Sequence, residues 1–352
     1  MNINKEFLGK IVSPLLEWYD LNKRDLPWRH NPTPYRVWIS EIMLQQTRVE
    51  PVIPYYLRFM ETFPDVEALA TAAEDDLMKH WEGLGYYSRA RNLQNAAKII
   101  AEAGEYPKDF NGWLKLPGIG NYTAGAICSI ALGMPTPAVD GNVLRVLSRV
   151  LGSYEDIAAE YVKKEFTAAL KEVYPEGKTS EFTQALMELG ATVCLPNGAP
   201  LCQSCPLSSL CRAFNENLTE SIPVKAPKKK RKIEERTILI LRSQNMVALN
   251  QRPEKGLLAK MWEFPNIEGH LNENAIKDMF GEDNISFVSP IGSSTHIFSH
   301  IEWHMNGFLV ELNDENDQFN WVTTQELIDK IAIPSAYRYY LDYLKEIRYK
   351  EI

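Results

Sequence analysis

Apolar residues recur at intervals of three or four positions through much of residues 1–220, which predicts a mainly helical region. Phe7, Ile11, Leu15 and Trp18 follow this spacing, and residues 91–100 repeat it. Glycines recur between the apolar runs and predict tight turns there. We therefore expect a set of short helices with turns between them.

The pattern changes after residue 233. Residues 237–242, 286–288 and 308–312 are short runs suited to strands, and residues 324–330 suit a helix. Residues 297–303 alternate between apolar and polar, which predicts one continuous strand. His296, His300 and His304 would then lie about 13 Å apart along it, too far to share one metal ion. We expect a smaller α+β domain here.

A basic segment separates the two regions. Residues 225–232 carry six positive charges and one proline, which is typical of a solvated linker that can also touch DNA phosphate; a nuclear-import signal is a weaker alternative. A length of 352 residues suits about two domains. We predict domains at 1–222 and 234–352, joined by a linker at 223–233.

The net charge of −8 is distributed unevenly. Residues 233–352 contain 11 basic and 19 acidic side chains, so the first 232 residues are neutral overall. The balance does not argue against binding nucleic acid, because phosphate contacts depend on local groups. The sequence shows no signal peptide and no apolar run of about 18 residues, so we expect a cytoplasmic protein.

Two glycines form a candidate phosphate site. Gly118 and Gly120 lie in LPGIG, immediately before a run of small residues that suits a helix. A tight turn with outward amides, followed by a helix N-terminus, can hold a phosphate without a lysine. The alternative is an ordinary corner between two helices.

Two carboxylates occupy different settings. Glu41 is the only ionisable residue among the mostly apolar residues 37–44. If that run is buried, desolvation raises the pKa of Glu41 and makes it a candidate general acid. Asp140 precedes a helical run at 143–150, and an N-cap position favours the ionised form and a lowered pKa. Such a pair suits cleavage of a glycosidic bond. An exposed glutamate and a plain helix cap are the alternatives.

Four cysteines lie close together. Cys194, Cys202, Cys205 and Cys211 have the spacing C-x7-C-x2-C-x5-C, which indicates zinc or an iron–sulfur cluster. A reducing compartment favours metal ligation over disulfides. The fifth cysteine, Cys128, falls in the helix after the glycine turn and is expected to be a packing residue.

Long motifs in a fixed order resemble a known family. LPGIGNYTAGAI (116–127), VDGNVLRVLSR (139–149) and the cysteine cluster resemble the endonuclease III-like helix-hairpin-helix DNA glycosylases. WISEIMLQQTRVEPVIPYY (38–56) and GLGYYSRARNL (83–93) resemble the MutY family of adenine DNA glycosylases. The resemblance runs from about residue 18 to 211 and over parts of 237–305.

The resemblance implies a base-excision repair enzyme that removes adenine mispaired with 8-oxoguanine in duplex DNA. It implies that Glu41 is the acid that protonates adenine and that Asp140 stabilises or traps the sugar cation. Asn142 and Tyr122 would support this site. Tyr122 stands where the bifunctional sister enzymes carry a lysine nucleophile, so we expect a monofunctional glycosylase that leaves an abasic site.

The resemblance also implies further contacts and a cofactor. The flipped adenine would lie among Arg24, Leu26, Trp28, Arg29 and Gln184, although Trp28 could be a core aromatic and Arg29 a surface ion-pair partner. The duplex would be met by Gln46, Thr47, Leu84 and Tyr86. The four cysteines would hold a [4Fe–4S] cluster, although the first gap is seven residues where the family usually has six.

The C-terminal region resembles a Nudix-like module. Residues 256–265 resemble its start, and Phe298, Ser299 and His300 resemble the motif by which MutY enzymes recognise 8-oxoguanine. Residues 270–283 lack the glutamate-rich REx2E-like pattern that a Nudix hydrolase needs for Mg²⁺, so we expect recognition and no hydrolysis.

Two other functions remain open. An endonuclease III-type glycosylase for oxidised pyrimidines is opposed by Tyr122 and by the extra C-terminal domain. A catalytically dead DNA-damage binding protein is opposed by the presence of both Glu41 and Asp140. We expect a monomer that contacts no membrane and, in a bacterium, associates with the nucleoid.

Overall fold

The computed structural model describes residues 3–226 and 230–351. Pro227, Lys228 and Lys229, part of the predicted linker, lie outside the described residues. The chain forms two compact units, Met1–Thr71 with Asn92–Pro227 and Ala72–Arg91 with Lys228–Ile352. The domain boundaries drawn from the sequence stay a prediction; the structure adds that Ala72–Arg91 belong to the second unit.

The N-terminal region is helical, as predicted. Its α-helices are α1 (Lys5–Gly9), α2 (Val12–Asn22), α3 (Pro34–Leu44), α4 (Val49–Thr62), α5 (Val66–Thr71), α6 (Glu74–Trp81), α7 (Ser88–Ala103), α8 (Phe110–Leu114), α9 (Asn121–Ala126), α10 (Gly141–Leu151), α11 (Glu160–Lys171), α12 (Thr179–Thr192) and α13 (Arg212–Asn215). Short 3₁₀ turns at Pro27–Arg29 and Cys202–Ser204, and a π-helical turn at Ile127–Ala131, complete it.

The core of the first unit brings distant helices together. One apolar cluster contains residues from four helices, each at most 1% exposed: Leu15 of α2, Leu147 of α10, Phe166 of α11 and Leu186 of α12. Burial of side chains of this size contributes about 1.5–3 kcal/mol each. The packing of α2 and α10 against α12 fixes the helix ends from which the candidate site is built.

The second unit contains a mixed seven-stranded sheet. Its strands are β1 (Lys232–Ser243), β2 (Met246–Gln251), β3 (Trp262–Glu263), β4 (Asn266–Glu268), β5 (Ile285–Ile297), β6 (Ile301–Leu312) and β7 (Asn320–Thr323). The main order is β3-β2-β1-β6-β5, with β4 beside β1 and β7 beside β2. Only β1 and β6 pair in parallel among these strands, and the other pairs are antiparallel.

Apolar side chains cover both faces of β1. Ile238 and Ile240 pack with Tyr340 of helix α16 (Arg338–Glu351), whereas Leu239 and Leu241 pack with Ile276 of helix α14 (Glu273–Phe280). A strand buried on both faces has a continuous apolar run, which is what residues 238–241 show. Helix α15 (Thr324–Asp329) confirms the predicted helix.

The prediction of one strand through residues 297–303 is wrong. Strand β5 ends at Ile297, residues 298–300 form a turn, and β6 begins at Ile301. His296 and His304 therefore lie on adjacent antiparallel strands, where Thr295 faces His304. Alternation of side chains is the same on both arms of a hairpin, so the pattern does not show where the chain reverses.

In the part of the chain that the structure describes, no helix is both long and apolar enough to span a bilayer.

Candidate active site

A cavity of about 530 Å³ lies within the first unit, and its size suits a small-molecule site. Its walls come from α3, α9, the start of α10, α12 and the 3₁₀ turn at Pro27–Arg29. Eleven of the predicted site residues line it: Arg24, Leu26, Trp28, Arg29, Glu41, Gln46, Thr47, Tyr122, Asp140, Asn142 and Gln184. The fold thus gathers residues separated by up to 160 positions.

Glu41 lies on α3, which begins with Thr33 as N-cap and Pro34 at its first position. Only 6% of Glu41 is exposed, and burial raises the pKa of its carboxyl to about 7. The Tyr122 hydroxyl donates a hydrogen bond to this carboxyl and acts in the opposite direction, as does the Arg29 charge, whereas Asp140 acts with burial. The predicted rise is confirmed, and Glu41 can carry a proton near neutral pH.

Asp140 is the N-cap of α10, as its position in the sequence indicates. Its carboxylate accepts the Val143 backbone N–H at 2.8 Å and the Asn142 amide at 2.8 Å. The expected lowering of the pKa is wrong, because burial raises the pKa of Asp140 above its ordinary value and outweighs these hydrogen bonds. The sequence around an N-cap indicates which backbone donors are nearby, but it does not indicate how much the fold shields the carboxylate from water.

The guanidinium groups of Arg24 and Arg29 are held by a carboxylate that the sequence reasoning missed. Glu188 of α12 accepts Arg24 Nε at 2.8 Å and Arg29 Nη2 at 2.7 Å. Arg29 Nη1 also donates to the Arg24 carbonyl at 2.8 Å. Burial alone would raise the pKa of Glu188, but the two arginines outweigh it and hold that pKa at about 2. Arg29 therefore belongs to an internal ion pair, not a surface one.

The cavity is also lined by the indole ring of Trp28 and by the side-chain amides of Gln184 and Gln46. Trp28 is 7% exposed and meets Tyr56 edge to face, with ring centroids 5.5 Å apart. Trp28 therefore packs in the core and lines the cavity at once. The Gln184 amide nitrogen donates to Ser180 Oγ at 3.1 Å. Gln46, at the cavity edge, has a left-handed backbone with φ 61°, which is uncommon for a residue with a side chain.

The glycine turn joins α8 to α9 and forms the predicted helical hairpin. Gly118 has φ +74°, and a Cβ there would approach Asn92 Cβ to 2.6 Å, so both conformation and space require glycine. Gly120 is the N-cap of α9 and has open space around it. The phosphate-binding role of the two glycines stays a prediction.

The four clustered cysteines line one small apolar cavity beside α10 and α12. Arg149 Nη1 donates to Cys194 Sγ at 3.3 Å, and Cys211 Sγ donates to the Arg149 carbonyl at 3.4 Å. Across residues 3–226 and 230–351, no group of three or more His, Cys, Asp or Glu side chains is arranged to hold a metal ion. The ligand set stays a prediction. Cys128 is fully buried, as expected.

The second unit has its own cavity of about 550 Å³, which both Leu84 and Tyr86 line. Residues 296–300 also line it, and they include the predicted recognition motif Phe298, Ser299 and His300. The Tyr86 hydroxyl lies 3.1 Å from Ser299 Oγ. Two sets of residues that the sequence assigned to different domains therefore meet in one unit.

Comparisons with known proteins agree with this architecture. Residues 39–172 match the HhH-GPD superfamily of base excision DNA repair proteins, and residues 236–343 match the NUDIX domain. An adenine DNA glycosylase of Mus musculus is 34% identical, with 96% of this chain and 79% of the mouse protein covered. One from Buchnera aphidicola subsp. Baizongia pistaciae is 36% identical, with 85% of each chain covered. This chain belongs to the adenine DNA glycosylase family.

The chain can also be compared with a longer relative and with solved structures. It spans 55% of an Arabidopsis thaliana adenine DNA glycosylase that is 38% identical to it. A solved thermostable thymine-DNA glycosylase has a TM-score of 0.55 and 29% identity, over 60% of this chain and 98% of that one. An endonuclease III–DNA complex, at 23% identity, has a TM-score of 0.52 over 62% of this chain. Both share the helical fold of the N-terminal region.

Several cavity residues of this adenine DNA glycosylase family member escaped the sequence reasoning. They include Ser40, Gln45, Met187 and Glu188. Glu188 could have been found, because it is the one acid among the mostly apolar residues 182–193, the same signal that singled out Glu41. The other three carry no charge that would distinguish them.

Proposed function

We propose that this protein hydrolyses the N-glycosidic bond of adenine mispaired with 8-oxoguanine, or with guanine, in duplex DNA and leaves an abasic site. The observation that carries the proposal is that the buried carboxyl of Glu41 and the partly buried carboxyl of Asp140 line one cavity of a chain from the adenine DNA glycosylase family. A protonatable acid and a nearby anion are what cleavage of a glycosidic bond requires.

Glu41 acts as the general acid. A carboxyl whose pKa is about 7 is half protonated at neutral pH and can give its proton to the leaving adenine. The Tyr122 hydrogen bond fixes the orientation of the Glu41 carboxyl. Positioned proton transfer of this kind contributes roughly 10²–10⁴-fold to a rate.

Asp140 stabilises the sugar cation that forms as adenine leaves. Val143 N–H and Asn142 hold its two oxygens in place, so little reorganisation is needed during the reaction. Burial makes the isolated anion unfavourable, and the same low dielectric strengthens its attraction to a developing positive charge. Asp140 stabilises or traps this cation until water attacks the sugar and releases a proton, which leaves the abasic site.

The rest of the cavity suits a planar base that has been flipped out of the helix. Leu26 and Trp28 provide apolar surface, while Arg24, Arg29 and Gln184 provide polar groups at its edge. Gln46 and Thr47 of the first unit would enter or flank the duplex, and Leu84 and Tyr86 of the second unit are likewise proposed to contact it. Gly118 and Gly120 would hold a DNA phosphate through backbone amides.

Duplex DNA is the proposed partner of a monomeric protein, and the Nudix-like unit is proposed to recognise the lesion. The turn at Phe298, Ser299 and His300 opens onto the cavity of that unit, where hydroxyl and imidazole groups can meet the edge of 8-oxoguanine. This arrangement supports a recognition function for the module.

A [4Fe–4S] cluster is the cofactor that the cysteines fit best. Cys194, Cys202, Cys205 and Cys211 all line one small apolar cavity. A cluster offers each thiolate its own iron, so ligands spread around a cavity suit it. When bound, it would cross-link the loop after α12 and so hold that helix in place.

The first test is single-turnover base release from duplexes that contain A:8-oxoguanine, A:G, T:G or thymine glycol. We expect loss of adenine from A:8-oxoguanine and A:G, with strand breakage only after alkali. Cleavage of the thymine-glycol strand without alkali would instead indicate a bifunctional enzyme for oxidised pyrimidines.

Glu41→Gln tests the acid directly. The variant should bind the mispaired duplex normally and release adenine at least about 10²-fold more slowly, because an amide cannot supply the proton. Glu50→Gln is the matched control, since the Glu50 side chain is 74% exposed and its removal should leave the rate unchanged. Normal turnover by Glu41→Gln would refute the assignment.

A further inference from the structure

Two positive charges share the cavity with the acid. Arg24 and Arg29 line the same walls as Glu41, and their side chains are only 30% and 14% exposed. Nearby cations favour the ionised form of a carboxyl, and Arg29 lowers the pKa of Glu41. Two uncompensated guanidinium groups would therefore work against a general acid that has to be protonated.

Glu188 of α12 compensates the charge of Arg24 and Arg29. Its side chain is 1% exposed and accepts hydrogen bonds from Arg24 N, Nε and Nη2 at 3.0, 2.8 and 3.0 Å, and from Arg29 Nη2 at 2.7 Å. The bidentate contact to Arg24 fixes the plane of that guanidinium. One buried anion thus sets the positions of both arginines and leaves the group of three with a net charge of about +1.

The other charged or titratable groups near Glu41 and Glu188 do not neutralise the two arginines as Glu188 does. Tyr122 of α9 and Asp140 at the start of α10 face Glu41. The Tyr122 hydrogen bond favours the ionised form of Glu41. Glu188 faces Tyr19 of α2, a neutral phenol whose pKa burial raises to about 12. Glu50 of α4 reaches Arg24 at 3.7 Å, but it is 74% exposed and screened by water.

We propose that Glu188 is a positioning residue that fixes Arg24 and Arg29 and cancels part of their charge, so that Glu41 keeps its proton at neutral pH. This inference rests on the proposed function, because it concerns the acid step of base release. Glu188 does not itself transfer a proton, since both its oxygens are occupied by guanidinium donors.

The test is the pH dependence of single-turnover adenine release between pH 5.5 and 9. Release by the unaltered protein should fall above a midpoint near pH 7, because Glu41 must be protonated. In Glu188→Gln the midpoint should move down to about pH 6. The ratio of the rate at pH 8 to the rate at pH 5.5 should then be about sevenfold lower than in the unaltered protein. A purely structural role would lower the rate at every pH without moving the midpoint.

Two further variants make the result decisive. Glu50→Gln removes an exposed partner of Arg24 and should leave the midpoint in place. Arg29→Met removes the cation that lowers the pKa of Glu41 while Glu188 stays, so the midpoint should move up, and this outcome does not depend on whether Glu188→Gln folds. An unmoved midpoint in folded Glu188→Gln, a downward shift in Arg29→Met, or an equal shift in Glu50→Gln would overturn the inference. If the unaltered protein released no adenine, the proposed function itself would fail instead.

Discussion

Removal of the Tyr122 hydroxyl should move the pH dependence of this enzyme in the direction opposite to Glu188→Gln. The Tyr122 O–H donates to the buried Glu41 carboxyl and stabilises its ionised form. In Tyr122→Phe that donor is lost, while burial, which raises the pKa of Glu41, remains. The protonated acid should therefore persist to higher pH.

The size of the shift follows from the environment of the bond. Glu41 is 6% exposed, so solvent screens the interaction little. A hydrogen bond to a charged group contributes about 1.5–3 kcal/mol, which corresponds to roughly 1–2 pKa units. With a midpoint near 7, about a tenth of Glu41 is protonated at pH 8, and an upward shift of one unit raises that fraction to about half.

The assay is single-turnover adenine release, expressed as the ratio of the rates at pH 8 and pH 6 within each protein. We expect this ratio to rise about fivefold in Tyr122→Phe, whatever happens to the plateau at low pH. Tyr35→Phe is the control and should leave the ratio unchanged. Tyr35 is a buried tyrosine of α3, the helix that carries Glu41, and its hydroxyl donates to the Phe63 carbonyl at 2.8 Å instead of to Glu41. A ratio that is unchanged or lower in Tyr122→Phe would refute the reasoning.

Two more substitutions test the packing around the site and the recognition unit. In Gly190→Ala the new Cβ would lie 2.5 Å from Asn142 Cβ. We therefore expect a loss of about 1–3 kcal/mol in the free energy of unfolding, and slower base release. Gly9→Ala is the control: the nearest atom to its new Cβ is at 3.9 Å, so its thermal unfolding should match that of the unaltered protein. Ser299→Ala should reduce the preference for A:8-oxoguanine over A:G in competition assays, and an unchanged preference would exclude Ser299 from lesion recognition.

Local patterns were sufficient for the elements and for the individual character of several side chains. The helical period before residue 220, the apolar run at 238–241 and the N-cap at Asp140 depend on neighbours close in sequence, and the structure confirms each. Glu41 could be singled out because one acid in an apolar helix has either to face solvent or to be buried with a raised pKa.

Long-range packing decided the rest. Burial of Asp140, and hence the rise of its pKa, depends on helices far away in the chain, as does the pairing of Glu188 with Arg24 across 164 residues. The reversal at residues 298–300 and the membership of Ala72–Arg91 in the second unit also leave no trace in periodicity. The sequence determined which residues could do chemistry, and the tertiary structure determined their charge states, because solvent exclusion and ion pairing arise only where distant segments meet.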